Sequence, residues 1–377
     1  MRIGIDLEQF VTDPFASGVQ RVVQYLAKDW PADVPADWIV PAGEGAFKLL
    51  TNEQAAALLT IPFDNPMHVS ELPGSIATAI VNLSAPQVTE VDLHSTYDLW
   101  FLPEVCYTPK VLKRFEKIQA TTKTAMIGFD ALPMSDPYNY KFTPGTLATV
   151  SEYFRLIATT NILLCISDFT REQAESFLRR SGNLSTFVIH PGGDHVPLAS
   201  NRSLGNPVTY LRLGTMEARK QPVGILQAFL ESDAAKNESA VLHFVGAPAR
   251  VDVEINFAIE RAIAGGAPVR WTTDASDHMA TEFIMESDVF LSYGREGYGI
   301  PVLEAIRLGT PVFFDGVQPA ADLMEGHGAF RVPIDQVFNE PVPPSITAAD
   351  QDSVPRWSDF SREIAHILNA SMKEGGS

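Results

Sequence analysis

Short apolar runs alternate with segments of helical periodicity along most of the chain. Ile3–Ile5 is the first such run, and apolar residues three or four positions apart then predict a helix over Val19–Trp30. The pattern restarts in the second half, where the run Val208–Leu213 precedes a helix predicted over Pro222–Leu230. Apolar runs followed by helices are typical of buried parallel strands with helices packed on the sheet. The chain is therefore predicted to form two α/β domains with parallel sheets.

The remaining predicted elements follow the same repeat. Further strands are predicted at Trp38–Val40, Leu99–Leu102, Thr124–Phe129, Leu163–Ser167, Val241–Val245, Val269–Thr273, Val289–Leu291 and Pro311–Phe314. Further helices are predicted at Glu53–Leu59, Pro109–Ile118, Asp168–Arg180, Asp252–Ala264, Met279–Glu286, Pro301–Arg307, Asp322–Glu325 and Asp359–Met372. The pattern is least regular over residues 31–95, where Ile76–Leu83 is ambiguous, and the proline-rich residues 338–352 are predicted to be a loop. The polar stretch Ala199–Pro207 predicts a linker between the domains.

A glycine-rich turn is predicted after the apolar run Val289–Leu291. Gly294, Gly297 and Gly299 fall in this turn, and Pro301 stands where a helix begins, since a proline at the first helical position sacrifices no hydrogen bond. A strand, a glycine turn and a helix N-terminus in this order place backbone N–H groups against an anion. The segment therefore predicts an anion-binding site.

Two glutamates frame this turn, Glu296 within it and Glu304 one turn into the helix. Helical side chains lean toward the helix N-terminus, so both carboxylates are expected to face one pocket. Carboxylates accept hydrogen bonds and sugar hydroxyls donate them, which suits one sugar ring at each glutamate. The competing interpretation is a helix N-terminus with one capping acid and one surface acid, and the complete stretch EGYGIPVLEA makes it the weaker one.

A pair of cations follows the strand Val208–Leu213. The segment GTMEARKQP begins at Gly214 and carries Arg219 and Lys220 directly before a helix that opens with Pro222. A guanidinium beside an ammonium at a helix N-terminus is a suitable diphosphate site. The alternative is two ordinary surface cations, and the position of this segment before the glutamate loop of the same domain favours the binding site.

The stretches EGYGIPVLE and GTMEARKQP together resemble the family 4 retaining glycosyltransferases of GT-B fold. The resemblance is strong from Val208 to Gly309 and patchy in the first half. It implies two Rossmann-like doubly wound parallel-sheet domains that face a cleft, and a C-terminal helix, opened by Arg356-Trp357-Ser358, that crosses back to the N-terminal domain. The implied parts are an acceptor-binding domain at 1–198, a nucleotide-sugar donor domain at 199–355 and a crossover helix at 356–377.

The resemblance also assigns roles to single residues. It implies that Glu296 and the loop amides hold the donor sugar and its diphosphate, and that Glu304 holds the nucleotide ribose. The implied catalytic residues are Arg219, Lys220, Glu296 and Asp130. The implied donor-binding residues are Gly18, Gly214, Gly297, Tyr298, Gly299, Ile300 and Glu304.

Two of these residues lie in the less regular first half. SGVQRVV resembles the N-terminal glycine loop of the family, with Gly18 kept and Gln20 where a second glycine is common; a plain strand–helix turn explains it equally well. Asp130 follows a predicted strand where the family usually has His-Asp, and Phe129 replaces the histidine. An aspartate that caps a loop is the competing interpretation of Asp130.

The function implied is transfer of a sugar, with retention, from a nucleotide-sugar donor to a hydroxyl acceptor: a glycan, a lipid-linked compound or another hydroxyl. By family analogy it belongs to surface polysaccharide or glycoconjugate synthesis. The diphosphate itself would take the acceptor proton, so we predict no essential metal and no cofactor. One alternative is a catalytically silent GT-B subunit that binds glycan or activates a partner transferase, which the loss of the histidine before Asp130 keeps open. A further alternative is a sugar-nucleotide epimerase.

Composition narrows the class of protein. The 377 residues are 45% hydrophobic, and the formal net charge of −18 argues against nucleic-acid binding, which depends on basic side chains. Cys106 and Cys165 lie in apolar runs and are predicted to be buried thiols. No signal peptide is apparent and no apolar run approaches the roughly 18 residues that span a bilayer, so a cytoplasmic location is expected.

The densest basic cluster lies on the predicted helix Pro109–Ile118. Lys110, Lys113, Arg114 and Lys117 fall within ten residues of one another. We expect a solvated helix face. The alternative is contact with an anionic acceptor or, peripherally, with a membrane.

Overall fold

The computed structural model describes residues 2–12, 17–60, 78–137, 140, 144–179, 184–199, 204–343 and 346–373. The chain forms two compact units. The first comprises Met1–Pro191 together with Trp357–Ser377, and the second comprises Gly192–Arg356. Each unit has its own sheet, so each is described separately.

The first unit is built on an eight-stranded sheet in the order β4-β3-β2-β1-β5-β6-β7-β8. The strands are β1 Ile3–Asp6, β2 Ala36–Gly43, β3 Ala46–Leu50, β4 Gln87–Thr89, β5 Leu99–Leu102, β6 Lys123–Gly128, β7 Ile162–Cys165 and β8 Ser185–Val188. Pairing is parallel from β2 through β1 to β8, whereas β3 and β4 continue the edge in antiparallel fashion. Every residue of the strands β1, β5 and β7 is buried, as expected for parallel strands that are covered on both faces of the sheet.

Helices of the first unit surround this sheet. They are α1 Glu8–Thr12, α2 Gly18–Lys28, α3 Asn52–Leu59, α4 Glu90–Thr96, α5 Pro109–Gln119, α6 Leu132–Ser135, α7 Pro144–Thr159 and α8 Asp168–Ser176. The C-terminal helix, Trp357–Lys373, belongs to this unit because it packs on α2: the Trp357 ring stacks on Tyr25 with centroids 4.8 Å apart. Ser361 Oγ also donates to the Tyr25 carbonyl at 3.2 Å.

The second unit has a six-stranded sheet in the order β11-β10-β9-β12-β13-β14, and every pairing in it is parallel. Its strands are β9 Val208–Leu213, β10 Ala240–Val245, β11 Val269–Thr272, β12 Val289–Arg295, β13 Val312–Val317 and β14 Ala329–Arg331. Its helices are α9 Pro222–Glu231, α10 Asp233–Lys236, α11 Val253–Ala264, α12 Asp277–Glu286, α13 Ile300–Arg307, α14 Pro319–Leu323 and α15 Ala348–Asp352. The C-terminal helix of the chain is then α16.

Two α/β units with parallel sheets are therefore confirmed, and several boundaries are corrected. Gly294 lies inside β12 and not in the turn after it, and α8 ends at Ser176, before the predicted Arg180. The predicted loop 338–352 contains α15 at its end. The antiparallel strands β3 and β4 were not predicted, because they lie in the region without a regular pattern.

The solvated-face interpretation of the basic helix is wrong for Arg114. Its guanidinium is fully buried and bridges Asp6 at 2.6 Å and Glu8. Lys110, on the same helix, is half exposed and lies 3.5 Å from Glu8. These partners stabilise the buried guanidinium, because a buried charge is costly when nothing compensates it. Arg114 thus fixes α5 to the end of β1. Cys106 and Cys165 are buried free thiols, as predicted.

Candidate functional site

The strand order of the second sheet reverses direction between β9 and β12. From β9 the chain continues outward to β10 and β11, and from β12 it continues the other way to β13 and β14. Ligands of open parallel sheets bind in the crevice at such a switch point, beyond the carboxyl ends of the strands. β9 ends at Leu213 and β12 at Arg295, so the segments that follow them form the candidate site.

Arg219 and Lys220 occupy this crevice with Glu296. A short 3₁₀ turn, Ala218–Lys220, presents the two cations. Arg219 Nη1 lies 2.7 Å from Glu296 Oε2, and Lys220 Nζ lies 3.0 Å from Glu296 Oε1. Arg219 Nη2 also pairs with Glu217 at 2.7 Å, and its Nη1 donates to the Arg295 carbonyl at 2.8 Å. The interpretation as ordinary surface cations is therefore wrong, because both side chains are only 15% exposed and share one carboxylate.

Electrostatics in the crevice favour a charged network. Burial opposes ionisation of Glu296, but Lys220 and Arg219 outweigh it and lower the pKa of this carboxyl to about 2. The pKa of Lys220 is also lowered, by burial and by the neighbouring guanidinium groups, although Glu296 counteracts them. Glu296 is thus ionised at neutral pH, and Lys220 has a weaker hold on its proton than an exposed lysine.

Two of the glycines combine a positive φ with close neighbours. Gly294 has φ +93°, and a Cβ there would lie 2.0 Å from the Arg219 carbonyl oxygen. Gly214 has φ +114°, and a Cβ there would lie 3.1 Å from Lys220 Nζ and 3.2 Å from Arg212 Nη1. The backbone angle favours glycine at both positions, and at Gly294 the contact with backbone atoms also excludes a Cβ. Gly294 therefore lets β12 pack against the turn that carries the two cations.

Arg212 is a third cation of this site, and sequence reasoning missed it. It lies within β9, is 3% exposed, and burial lowers its pKa to about 10. Its Nη1 donates to the carbonyls of Leu213 and Gly214. The available signal was an arginine inside an otherwise apolar strand, VTYLRL, immediately before Gly214.

The glycine loop leads into α13 as predicted. Gly299 is the N-cap with φ +105°, and having no side chain it does not cap the first N–H groups of the helix. Ile300 and Pro301 form the first turn, and Tyr298 is buried. With Gly297, these residues place the helix N-terminus next to Glu296, where its dipole favours negative charge.

Glu304 lies in the first turns of α13 and contacts a residue that sequence reasoning missed. Its Oε1 is 2.8 Å from His195 Nε2, and the two side chains are 7% and 9% exposed. His195 belongs to the segment before the predicted linker, more than a hundred positions away from Glu304. No local pattern could have revealed this pair.

The two predicted site residues of the first unit have their own local roles. Gly18 is the first residue of α2, behind the N-cap Ser17, and a Cβ there would meet no atom of the described residues within 4 Å. Asp130 Oδ1 accepts a hydrogen bond from Leu132 N at 3.0 Å, at the start of α6. Their predicted contacts with a donor stay predictions, whereas Gly214, Arg219, Lys220, Glu296 and Gly294 are brought together in the second unit.

Residues 199–328 match the model of the family described as Glycosyl transferases group 1. The matched residues lie within the second unit. No protein of curated function matches the chain. Among the described residues, no helix has the length and apolar character to cross a bilayer, and no three potential metal ligands lie together.

Solved structures of low sequence identity share the fold over the whole chain. Anabaena Alr3699/HepE in complex with UDP-glucose has 14% identity and a TM-score of 0.58, with 100% of this chain and 99% of that chain covered. An E. coli trehalose-6-phosphate protein bound with UDP-2-fluoro glucose has 12% identity and a TM-score of 0.58, with 100% and 98% covered. An α,α-trehalose-phosphate synthase (UDP-forming) from Burkholderia xenovorans, in complex with glucose-6-phosphate, has 14% identity and a TM-score of 0.56, with 99% of each chain covered. The chain therefore has the GT-B fold, which these structures share.

Proposed function

We propose that the protein is a retaining glycosyltransferase of family 4 type, which moves a sugar from a nucleotide-sugar donor to a hydroxyl acceptor. The observation that carries the proposal is the network of Arg219, Lys220 and Glu296 at the switch point of the second sheet. Two cations held by one carboxylate beside a helix N-terminus form a preorganised site for a diphosphate.

The charge of this crevice supports an anionic ligand. Three cations, Arg212, Arg219 and Lys220, meet two carboxylates, Glu217 and Glu296, which leaves one net positive charge. The chain as a whole has a formal net charge of −18, so this positive crevice contrasts with the rest of the protein. Salt screens the attraction between this crevice and an anion less than it screens the attraction between charges at an exposed surface.

The proposed reaction breaks the bond between the anomeric carbon and the diphosphate oxygen. Negative charge develops on the departing diphosphate, and Arg219, Lys220 and the amides at the start of α13 stabilise it. The acceptor hydroxyl forms its bond on the same face of the sugar and gives its proton to the departing diphosphate. Glu296 orients the donor sugar, and Glu304 accepts hydrogen bonds from the ribose. The reaction as proposed uses no metal ion.

UDP-glucose is the first donor to test, because structural neighbours hold UDP-glucose or its fluoro analogue. Nucleotide release is measured with a panel of nucleotide sugars in the presence of EDTA, and the anomeric configuration of the product is read by NMR. We expect release of the nucleoside diphosphate from one donor and a product that keeps the donor's configuration. Lys220→Ala should abolish release, whereas Lys236→Ala, on the exposed side of α10, should leave it unchanged.

Other results would redirect the proposal. Release of nucleotide together with free sugar, without any acceptor, would indicate an epimerase. Nucleotide binding without turnover of any donor would indicate a silent binding subunit. An inverted product would contradict the retaining assignment. A role in surface polysaccharide or glycoconjugate synthesis is proposed by family analogy, and it is tested by whether glycan or lipid-linked hydroxyls act as acceptors.

A further inference from the structure

Arg212 is a buried cation that none of the described carboxylates pairs with. Its side chain is 3% exposed, and its hydrogen bonds go to the carbonyl oxygens of Leu213 and Gly214. Its Nε has no hydrogen-bond partner, and no carboxylate of the described residues lies within ion-pair distance of its guanidinium. A buried charge in this state is costly unless something compensates it.

The same chain shows how a structural buried arginine is compensated. Arg114, also fully buried, is held by two carboxylates, Asp6 and Glu8. Arg212 has no such pair, although Glu296 and Glu217 lie near enough to favour its charge. The two arginines therefore have different roles. Arg114 is neutralised within an ion-pair cluster, whereas the positive charge of Arg212 remains available to a ligand.

The position of Arg212 indicates which group this is. Its Nη1 and Lys220 Nζ flank Gly214, 3.2 and 3.1 Å from the point where a Cβ would lie. Two cationic groups converge there, directly beyond the end of β9 at the switch point. Like charges this close repel each other, and an anion with more than one negative charge removes the repulsion. Because Gly214 has no Cβ, no side chain of its own stands beside the two groups.

We propose that Arg212 is a third cationic residue of the anion site, and that it makes the site selective for a diphosphate over a single phosphate. The proposal rests on the proposed donor site and extends it. The positive charge of Arg212 comes from β9, in addition to the charges of Arg219 and Lys220 on the 3₁₀ turn. The resemblance to known transferases assigns Arg212 no role. A ligand with one phosphate would satisfy Arg219 and Lys220 and leave Arg212 uncompensated.

The inference gives a signature that a structural arginine would not produce. Arg212→Met replaces an uncompensated buried charge with an apolar side chain of similar length. This substitution removes the desolvation cost of a buried charge that has no ion-pair partner, whereas loss of an arginine held in ion pairs leaves buried carboxylates uncompensated and is destabilising. We therefore expect the unliganded variant to unfold at the same temperature as the wild type or a few degrees higher. Its affinity for UDP should fall about tenfold or more, as for a lost hydrogen bond to a charged group.

The experiment compares thermal unfolding of the full chain with UDP, UMP and inorganic pyrophosphate in metal-free buffer. In the wild type, UDP and pyrophosphate should raise the midpoint and UMP should raise it less. In Arg212→Met the response to UDP and pyrophosphate should fall to that of UMP. Arg270→Met is the matched control, since Arg270 is an exposed arginine on β11 of the same sheet, and it should behave as the wild type.

Arg212→Gln, which keeps N–H groups for the two carbonyls, provides a second variant if the methionine variant folds poorly. An undiminished response to UDP and pyrophosphate in either variant would overturn the inference. Loss of response accompanied by a lower midpoint in both variants would overturn it too, since Arg212 would then be structural. If the wild type responds to pyrophosphate through Arg212 but to no nucleotide, the inference holds and the proposed function fails. If UDP binds equally to wild type and variants, the proposed function stands and the inference fails.

Discussion

Gly294→Ala is the substitution that most directly tests how the cation pair is positioned. The added Cβ would lie 2.0 Å from the Arg219 carbonyl oxygen and 3.0 Å from Lys220 Cα. Ordinary carbon contacts lie at about 3.5–4.0 Å, so the 3₁₀ turn Ala218–Lys220 must move by more than about 1 Å. Because backbone atoms make the contact, a side-chain rotation cannot relieve it.

The expected cost has two separable parts. The first is the left-handed backbone of Gly294, with φ +93°, which costs an alanine about 1–2 kcal/mol. The second is the steric contact with Arg219 and Lys220. Gly266→Ala isolates the first part, because Gly266 has φ +81° and an added Cβ there meets no atom within 4 Å. The excess destabilisation of Gly294→Ala over Gly266→Ala therefore measures the contact itself.

The assay combines chemical denaturation with calorimetric titration of UDP. We expect both variants to lose about 1–2 kcal/mol from the backbone angle, and Gly294→Ala to lose at least a further 1 kcal/mol from the contact. We also expect Gly294→Ala to lose UDP binding, because the displaced turn moves both cations away from Glu296, while Gly266→Ala binds UDP normally. Equal stability and equal UDP affinity of the two variants would show that a Cβ at position 294 does not displace the 3₁₀ turn.

Two further predictions concern the carboxylates of the site. The His195 imidazole lies 2.8 Å from Glu304, so His195→Ala should weaken UDP binding by about tenfold. His195→Gln should keep most of the affinity, because glutamine still offers an N–H to Glu304. An equal loss of affinity in both variants, measured by calorimetry, would contradict a hydrogen-bonding role. Folding lowers the pKa of Glu296 from 4.5 to about 2. The ionised carboxylate therefore stabilises the folded state above about pH 5, and this stabilisation, roughly 3 kcal/mol in total, is lost as the pH falls toward 2. Glu296→Gln should flatten this acid limb in denaturation series from pH 7 to pH 2, whereas Glu254→Gln on α11 should not; an unchanged limb would rule out the ion pairs as its cause.

The sequence predicted the second unit in detail because its elements have regular patterns. Val208–Leu213 was placed at the residues that β9 occupies, and the glycine loop and α13 followed as expected. The resemblance to family 4 glycosyltransferases placed Arg219, Lys220 and Glu296 in one site, and the structure brings them together beyond the adjacent parallel strands β9 and β12. Local patterns combined with the family resemblance were therefore sufficient for the central network.

The residues that were missed depend on contacts that no local pattern encodes. Arg212 has the periodicity of a buried strand residue, and only the three-dimensional structure shows that its charge lacks a carboxylate partner. His195 reaches Glu304 across more than a hundred positions. Arg114 was assigned to a solvated face because its lysine neighbours are typical of one, whereas Asp6 and Glu8 hold it in the interior.

The central claim is that the crevice formed by Arg219, Lys220 and Glu296 binds the diphosphate of a nucleotide-sugar donor. Calorimetric titration of the wild type and of Lys220→Ala with UDP and with uridine tests it most directly. UDP should bind the wild type much more tightly than uridine does, and Lys220→Ala should reduce the affinity for UDP toward that for uridine. A wild type that binds UDP and uridine equally, or a Lys220→Ala variant with unchanged affinity for UDP, would contradict the account.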